Sequence, residues 1–306
     1  MRTVLLIARK ELASFFDSLM AYLILVAFLG TSGFFTWWFG TDVFMRGLAD
    51  LSTFFNVAYW TLFFFTPAIT MRTIADERRT GTLDLLLTKA VSDRQVVVGK
   101  YLACVALIAL ALLCTLPCWI TLAFIGKVDH GAVACGYLAL LCMSSAYLAL
   151  GVFASSFTNN QIVAFLLGLS MVALFHMAFS TMASNFTGIT GETLHQLGTQ
   201  AHFDSMSRGV IDSRDLLWFG SITVLGLALA EHQPPLVRGR RIKLRYAHQG
   251  GRNPPIIVIH GNQTEELSES YKRYLVNAMR DAFELHAAPI RLIVKAGKNP
   301  YADDEN

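Results

Sequence analysis

The chain has 306 residues, of which 54% are hydrophobic and 15% are charged, and its mean hydropathy is +0.47. A soluble domain carries about 25% charged residues, so this composition excludes an ordinary soluble protein and favours an integral membrane protein. Residues 1–230 hold as many acidic as basic residues, and the net charge of +3 lies entirely in residues 231–306. We therefore expect two regions that meet different solvents.

Six apolar runs are candidates for membrane spans. A helix needs about 20 apolar residues to cross the hydrocarbon core. The runs lie at residues 19–39, 54–71, 101–125, 133–157, 162–183 and 216–230. The expected fold class is an all-α membrane bundle of six transmembrane helices with a short sixth span, followed by a small α/β module. Pro67 and Pro117 are expected to bend the second and third spans.

The distribution of Lys and Arg predicts the orientation of the bundle. Arg2, Arg9 and Lys10 precede the first span, and the connection 72–100 is rich in basic residues, whereas the facing connections hold few. Basic residues favour cytoplasmic loops. Since six is an even number, we expect both termini in the cytoplasm and the chain in the inner (cytoplasmic) membrane.

The first 18 residues predict an amphipathic helix that lies on the membrane surface. Its apolar face includes two aromatic residues and its polar face two basic ones. The residues assigned to this interfacial helix are Arg9, Lys10, Glu11, Phe15 and Phe16. The alternative is a basic flank that only sets the orientation of the first span.

The connection 72–100 predicts a cytoplasmic helical hairpin. Gly81 interrupts its first helical piece, and Leu83, Leu86 and Leu87 then form an apolar stripe. One exposed apolar stripe suits docking to a soluble partner; the alternative is an amphipathic loop on the lipid surface. The candidate docking residues are Asp76, Glu77, Arg78, Arg79, Gly81, Thr82, Leu83, Leu86 and Leu87.

Histidines are the remaining candidates for chemistry in the membrane part. His176 lies inside the fifth predicted span. Ionisable residues at that depth face a pathway or a polar partner, so His176 either lines a pathway or packs as a neutral, hydrogen-bonded side chain. His195 and His202 can share a helical face, but they lack a third ligand. We therefore predict two surface histidines and no metal site.

The C-terminal region predicts a small α/β module. Strands are expected at 238–246, 256–259 and 290–294, with a turn at Gly250 and Gly251 and a helix that begins near Ser268. The first strand has a basic face that can contact the phosphates of RNA or of anionic lipid. The residues concerned are Arg238, Arg240, Arg241, Lys243 and Arg245.

Residues 1–230 resemble the permease subunits of type-2 ABC transporters, closest to the gliding-motility-associated, GldF-like branch. The resemblance is carried by ARKELASFF (8–16), MRTIADERRTGTLDLLLTKAVSDRQVVVGKYLA (71–103) and HFDSMSRGVIDSRDLLWF (202–219). It implies six spans per subunit, a homodimer or heterodimer of permeases, and a separate cytoplasmic ATPase that binds ATP and Mg²⁺. It also implies a coupling helix around 76–87, and neither an enzyme activity nor a cofactor in this chain.

Residues 232–306 resemble the C-terminal KH-like, RNA-binding module of the ribosome-assembly GTPases of the Der (EngA) family. The matching stretches are HQPPLVRGRRIKLRYAHQGGRNPPIIVIHGNQ (232–263) and ESYKRYL (269–275). The module is expected to start at 231 without its first helix, and the sequence contains no phosphate-binding GxxxxGK[ST] motif. The sequence thus predicts a fusion of two truncated genes. The alternatives to an exporter permease are a membrane-tethered RNA- or ribosome-binding module and a fusion without activity.

Overall fold

The computed structural model describes residues 2–39, 47, 49–80 and 92–231 of the membrane part. In the C-terminal region it describes 236–237, 240–241, 244–252, 255–261, 272–273, 275–276 and 291–296. The chain divides into two compact units, Met1–Glu77 with Asp93–His232 and Arg78–Ser92 with Gln233–Asn306.

Apolar runs bounded by polar caps form the helices of the first unit. Asp129 caps α7, for example, by accepting hydrogen bonds from the amides of Gly131 and Ala132. In chain order the described helices are α1 (Arg2–Asp17), α2 (Leu19–Trp37), α3 (Ser52–Thr70), α4 (Ala75–Thr80), α5 (Asp93–Cys114), α6 (Leu116–Ile125), α7 (His130–Ser156), α8 (Gln161–Ala173), a π-helical turn (Leu174–Ala178), α9 (Phe179–Ala183), α10 (Ile189–Leu197), α11 (Thr199–Ser207) and α12 (Ser213–Glu231).

The prediction of six spans is confirmed. Within the described residues, six helical segments are long and apolar enough to cross a membrane: Leu19–Trp37, Ser52–Thr80, Asp93–Ile125, His130–Ser156, Gln161–Ala183 and Ser213–Glu231. The third segment is broken at Thr115, two residues before Pro117, which lies in the first turn of α6. Proline has no amide hydrogen and is tolerated in a first turn, which explains why a new helix begins there.

The long helix α7 lies at the centre of the bundle. It packs against α3, α5, α8, α11 and α12, and it is the most buried of the six candidate spans. Small residues permit these close contacts. A Cβ atom added at Gly226 of α12 would lie 2.9 Å from the carbonyl carbon of Ala149 in α7, which leaves room only for glycine.

The sixth helix is longer than its apolar run. α12 has 19 residues, which at 1.5 Å per residue gives about 28 Å, close to the hydrocarbon thickness of about 30 Å. The additional length comes from its first turn, where Asp215 is buried against His202. A charged side chain with a buried partner can therefore extend the span beyond the apolar residues.

The second unit contains a three-stranded sheet in the order β3-β4-β5. β3 (Leu244–Arg252) is antiparallel to β4 (Pro255–Gly261), which is parallel to β5 (Arg291–Ala296). Two shorter strands, β1 (Leu236–Val237) and β2 (Arg240–Arg241), form a separate antiparallel pair. Residues 272–273 and 275–276 are helical.

One expectation for this unit is wrong. Gly250 and Gly251 do not form a turn, because both lie inside β3, where the pairing with β4 is irregular between Gln249 and Gly251. Glycine within a strand commonly marks such an irregularity. The described residues of the expected strand 238–246 lie in strands, 240–241 in β2 and 244–246 in β3.

Candidate functional site

A short segment, residues 71–77, runs from the end of α3 into the first turn of α4 and is held by the neighbouring helices; we call it the connector. The hydroxyl oxygen of Ser155, near the end of α7, accepts hydrogen bonds from the amides of Ile74 (3.2 Å) and Ala75 (3.0 Å). The same hydroxyl donates to the carbonyl oxygen of Met71 at 3.3 Å. One side chain therefore binds the main chain of the connector at three points.

The end of the connector carries two acidic side chains that bind other helices. The amide of Gln161, the first residue of α8, donates to Asp76 Oδ1 at 2.7 Å. Lys100 Nζ in α5 lies 2.8 Å from Glu77 Oε1 and 2.9 Å from Glu11 Oε1 in α1. We call Lys100, Glu11 and Glu77 the ion triad. The Lys100 side chain is only 1% exposed, so these charges are screened little by water.

The ion triad joins the N-terminal helix to the bundle. Glu11 points inward to Lys100, whereas Arg9 and Lys10 are exposed and Phe15 and Phe16 are half-buried. α1 also packs closely on α5, since a Cβ atom at Gly99 would lie 2.7 Å from Ile7 Cγ2. The location of this helix at the membrane surface stays a prediction.

The structure describes part of the predicted docking hairpin. Asp76 and Glu77 end the connector in the first turn of α4, and Arg78 and Arg79 follow in its last turn. Gly81, Thr82, Leu83, Leu86 and Leu87 lie outside the described residues. Sequence reasoning missed Ser155, Gln161 and the pairing of Lys100 with two acids.

A second polar site lies near the opposite end of α3. A cleft of about 450 Å³ is bordered by the first turns of α3, the π-helical turn, α9 and α11. Its aromatic walls include Tyr59 and Phe203, which are buried, and Trp60. Its polar rim includes Asn56 and Gln200, which are exposed.

His176 lines this cleft from the π-helical turn and is 2% exposed. Its ring stacks between Tyr59 and Phe63, at centroid distances of 4.1 and 4.5 Å, and its Nδ1 lies 2.9 Å from the hydroxyl of Tyr147. The hydroxyl of Tyr59 donates to the carbonyl oxygen of His176 at 3.1 Å. Side-chain donors of this kind satisfy the carbonyl groups that an irregular helical turn frees.

His176 thus combines the two alternatives that the sequence left open. The side chain has a polar partner, the hydroxyl of Tyr147, and it also lines a cleft. The π-helical turn is a feature that composition could not reveal, because residues 174–178 continue an ordinary apolar run. Such turns occur frequently at functional sites.

The expectation of two surface histidines is wrong for His202. His195 is exposed, but His202 is buried, with Nδ1 at 2.7 Å from Asp215 Oδ1 and Nε2 at 2.8 Å from the carbonyl oxygen of Gln196. A carbonyl oxygen can only accept, so Nε2 carries a hydrogen. The pair ties α11, which borders the cleft, to the first turn of α12.

The five basic residues of the tail are only partly described. Arg240 and Arg241 form β2, and Arg245 lies in β3. Arg238 and Lys243 lie outside the described residues. Their contact with phosphate stays a prediction.

The six apolar helices define a multi-pass membrane protein. Several of its spans are bonded to the connector. Residues 5–210 match the family described as ABC-2 family transporter proteins. Because this match covers more than half of the chain, the chain belongs to that family. Its members are membrane permeases, themselves non-catalytic, that normally work with an ATPase subunit.

The end of the chain matches a different family. Residues 222–295 match the KH-domain-like C-terminal module of EngA bacterial GTPase enzymes. The matched range begins inside α12, so the last turns of the sixth helix align in sequence with the start of the family module. The chain therefore joins a transporter permease to a KH-like module, as the sequence predicted, and this module is not a GTPase domain.

The chain is also similar to curated proteins named GTPase Der. GTPase Der of Escherichia coli O127:H6 is 48% identical over 114 residues, which are 37% of this chain and 23% of that protein. GTPase Der of Halorhodospira halophila is 45% identical over 131 residues, which are 43% of this chain and 25% of that protein. The chain thus spans about a quarter of the length of these relatives.

Proposed function

We propose that this chain is a permease subunit of an ABC exporter that forms the translocation path as a homodimer or as a heterodimer with a second permease. A separate ATPase, which carries ATP and Mg²⁺, would dock on the hairpin 72–100. The observation that carries this proposal is the clamping of the connector by Ser155, Gln161 and Lys100.

The connector supports a mechanical role for the hairpin. A movement imposed on residues 78–92 reaches the connector directly along the main chain. Hydrogen bonds join the connector to the end of α7 and to the start of α8, and the ion triad joins it to α5 and α1. A rigid attachment to several spans is what transmission between a docking site and a transport path requires.

The proposed orientation places both termini and the connector in the cytoplasm, with the chain in the inner membrane. The exposed basic residues Arg9, Lys10 and Arg94 support this orientation, because basic residues favour the cytoplasmic side of a membrane. Arg94 also forms an ion pair with Glu231, so the end of α12 lies on the same side as the start of α5. We further assign the chain to the GldF-like, gliding-motility branch, on the sequence resemblance of residues 71–103 and 202–219.

Two experiments on the full chain test this function. Affinity purification from its native membranes should recover an ABC ATPase, identified by mass spectrometry, in stoichiometric amount. Leu86→Asp should lose that ATPase, because it places a charge in an apolar contact, whereas Leu86→Met should keep it. Equal recovery with both variants would refute docking through the stripe.

The orientation is tested separately. In a cysteine-free background, single cysteines at positions 78 and 195 should react with a membrane-impermeant maleimide from opposite sides of sealed vesicles. Labelling of both positions from one side would refute the six-span orientation.

The KH-like match favours a second candidate function, a membrane-tethered module that binds RNA or ribosomes. The test is crosslinking of the full chain to RNA in cells, compared with a variant in which Arg240 and Arg241 are glutamine. Loss of RNA in that variant would support this function. Equal RNA recovery, or none from either protein, would leave the tail a remnant of the gene fusion.

A further inference from the structure

The cleft beside His176 contains buried polar atoms that lack partners. Among the residues that the structure describes, neither His176 Nε2 nor Ser180 Oγ has a hydrogen-bond partner. The two side chains are four residues apart and both line the cleft. Buried polar atoms in folded proteins are nearly always hydrogen-bonded, so such a pair indicates a place for a missing donor and acceptor.

The walls of the cleft select the chemistry of a ligand. Trp60, which is exposed, offers an aromatic surface, and the amides of Asn56 and Gln200 each offer both donors and acceptors. A ligand hydroxyl group can also donate and accept, so it can form hydrogen bonds with side-chain amides, with serine and with histidine. Aromatic faces combined with a few convergent polar groups are typical of small-molecule sites.

The charges of the cleft balance each other. Asp204 and Arg208 both line it, and Arg208 Nε donates to the carbonyl oxygen of Asp204 at 2.9 Å. The Asp204 carboxylate also bonds the Gln200 side chain and is stabilised by the charge of Arg208. A cation and an anion would therefore each meet a repelling charge as well as an attracting one. An uncharged ligand meets no such repulsion.

We propose that this cleft binds a neutral, polyhydroxylated group, such as a sugar ring, packed against Trp60 and hydrogen-bonded to Ser180 and His176. The π-helical turn positions His176 on the cleft, and α9 positions Ser180. The sugar ring can belong to a free saccharide or to the headgroup of a glycolipid. Binding would occur in this chain alone, so the proposal stands apart from coupling to an ATPase.

The test uses the full chain in phospholipid nanodiscs that contain no sugar. Maltose is titrated as the free saccharide, and glucosyl diacylglycerol is added to the nanodisc lipid as the membrane-bound source. Tryptophan fluorescence reports binding, and a Trp60→Phe variant assigns the signal to the cleft. A saturable change with either probe supports the proposal and identifies the source. The proposal is overturned if neither probe gives a saturable change. It is also overturned if the cation tetramethylammonium gives one and the two sugar probes do not.

Two serine variants separate binding from folding. Ser180→Ala should weaken binding about three- to tenfold, the effect of one lost hydrogen bond, while the thermal stability of the ligand-free protein is unchanged or raised. Ser184→Ala is the matched control, because Ser184 lies one turn further on, outside the cleft, and bonds the carbonyl oxygen of Thr181. Equal affinities of the two variants would contradict the assignment, as would a loss of ligand-free stability in Ser180→Ala alone.

Discussion

The two polar sites of the bundle lie toward opposite ends of α3 and differ in how their polar groups are bonded. At the connector, the Ser155 hydroxyl binds three main-chain groups, and Lys100 is paired with two carboxylates. At the cleft, His176 Nε2 and Ser180 Oγ lack partners among the described residues, although aromatic rings surround His176 closely.

This difference indicates that buried polar groups have a structural role where they bond one another and a binding role where they lack partners. Groups that bond one another fix the relative positions of helices, and the loss of one partner is costly because the other charge stays buried. Groups without partners reduce stability, so a protein retains them where a ligand or a movement uses them. We therefore expect changes at the connector to affect stability and coupling, and changes inside the cleft to affect binding.

The largest expected effect is that of Lys100→Met. Methionine keeps the length and apolar stem of lysine but leaves Glu11 and Glu77 facing each other without a cation. The free energy of unfolding should fall by about 3 kcal/mol, as for other broken buried ion pairs. Thermal unfolding in nanodiscs measures this effect, and Lys127→Met, at an exposed position between α6 and α7, should have almost none. Equal losses in both variants would contradict a special role of the ion triad.

A smaller loss is expected when the link between α11 and α12 is weakened. Asp215→Asn removes the charge that pairs with His202, and a hydrogen bond to a charged group contributes about 2 kcal/mol. Asp212→Asn is the control, because Asp212 accepts a hydrogen bond from the amide of Arg214 and asparagine caps a helix as well as aspartate does. If the control loses as much thermal stability, the buried pair contributes nothing measurable.

The smallest effect concerns the pH dependence of stability at the rim of the cleft. Partial burial raises the pKa of Asp204 above its ordinary value of 3.8, although Arg208 and His195 oppose the shift. The native carboxyl thus holds its proton more tightly than the unfolded chain does, and stability falls as the pH rises through the native pKa. Asp204→Asn should flatten this dependence in thermal unfolding from pH 3.8 upward. An unchanged pH profile would contradict the shift.

Local properties of the sequence were enough to predict the membrane helices. A span is an apolar run of about 20 residues, and its orientation depends on nearby Lys and Arg, so neither needs knowledge of distant contacts. The break near Pro117 likewise follows from a missing amide hydrogen. The sixth helix shows the limit of this reasoning, because the first turn of α12 is completed by a partner in α11, which a count of apolar residues does not include.

The candidate sites depend on contacts that no local pattern contains. Lys100 and Glu11 are 89 residues apart, and Ile74 and Ser155 are 81 residues apart. In the sequence, Lys100 is one of many basic residues near the membrane and Ser155 is a small residue in an apolar helix. Glu11 belongs to the helix that the sequence predicts on the lipid surface, yet it points inward, because burial of Lys100 requires its charge to be paired.

The central claim is that the connector transmits the movement of an ATPase to the spans, and Ser155→Ala tests it most directly. Ser156→Ala is the matched control, since among the described residues its hydroxyl bonds the carbonyl oxygen of Phe153 in its own helix. Each variant is purified with its ATPase, and stimulation of ATP hydrolysis by the permease is measured. We expect Ser155→Ala to retain the ATPase but to lose stimulation about 2- to 30-fold, which corresponds to a coupling change of about 0.5–2 kcal/mol. Equal stimulation by the two variants would contradict the claim.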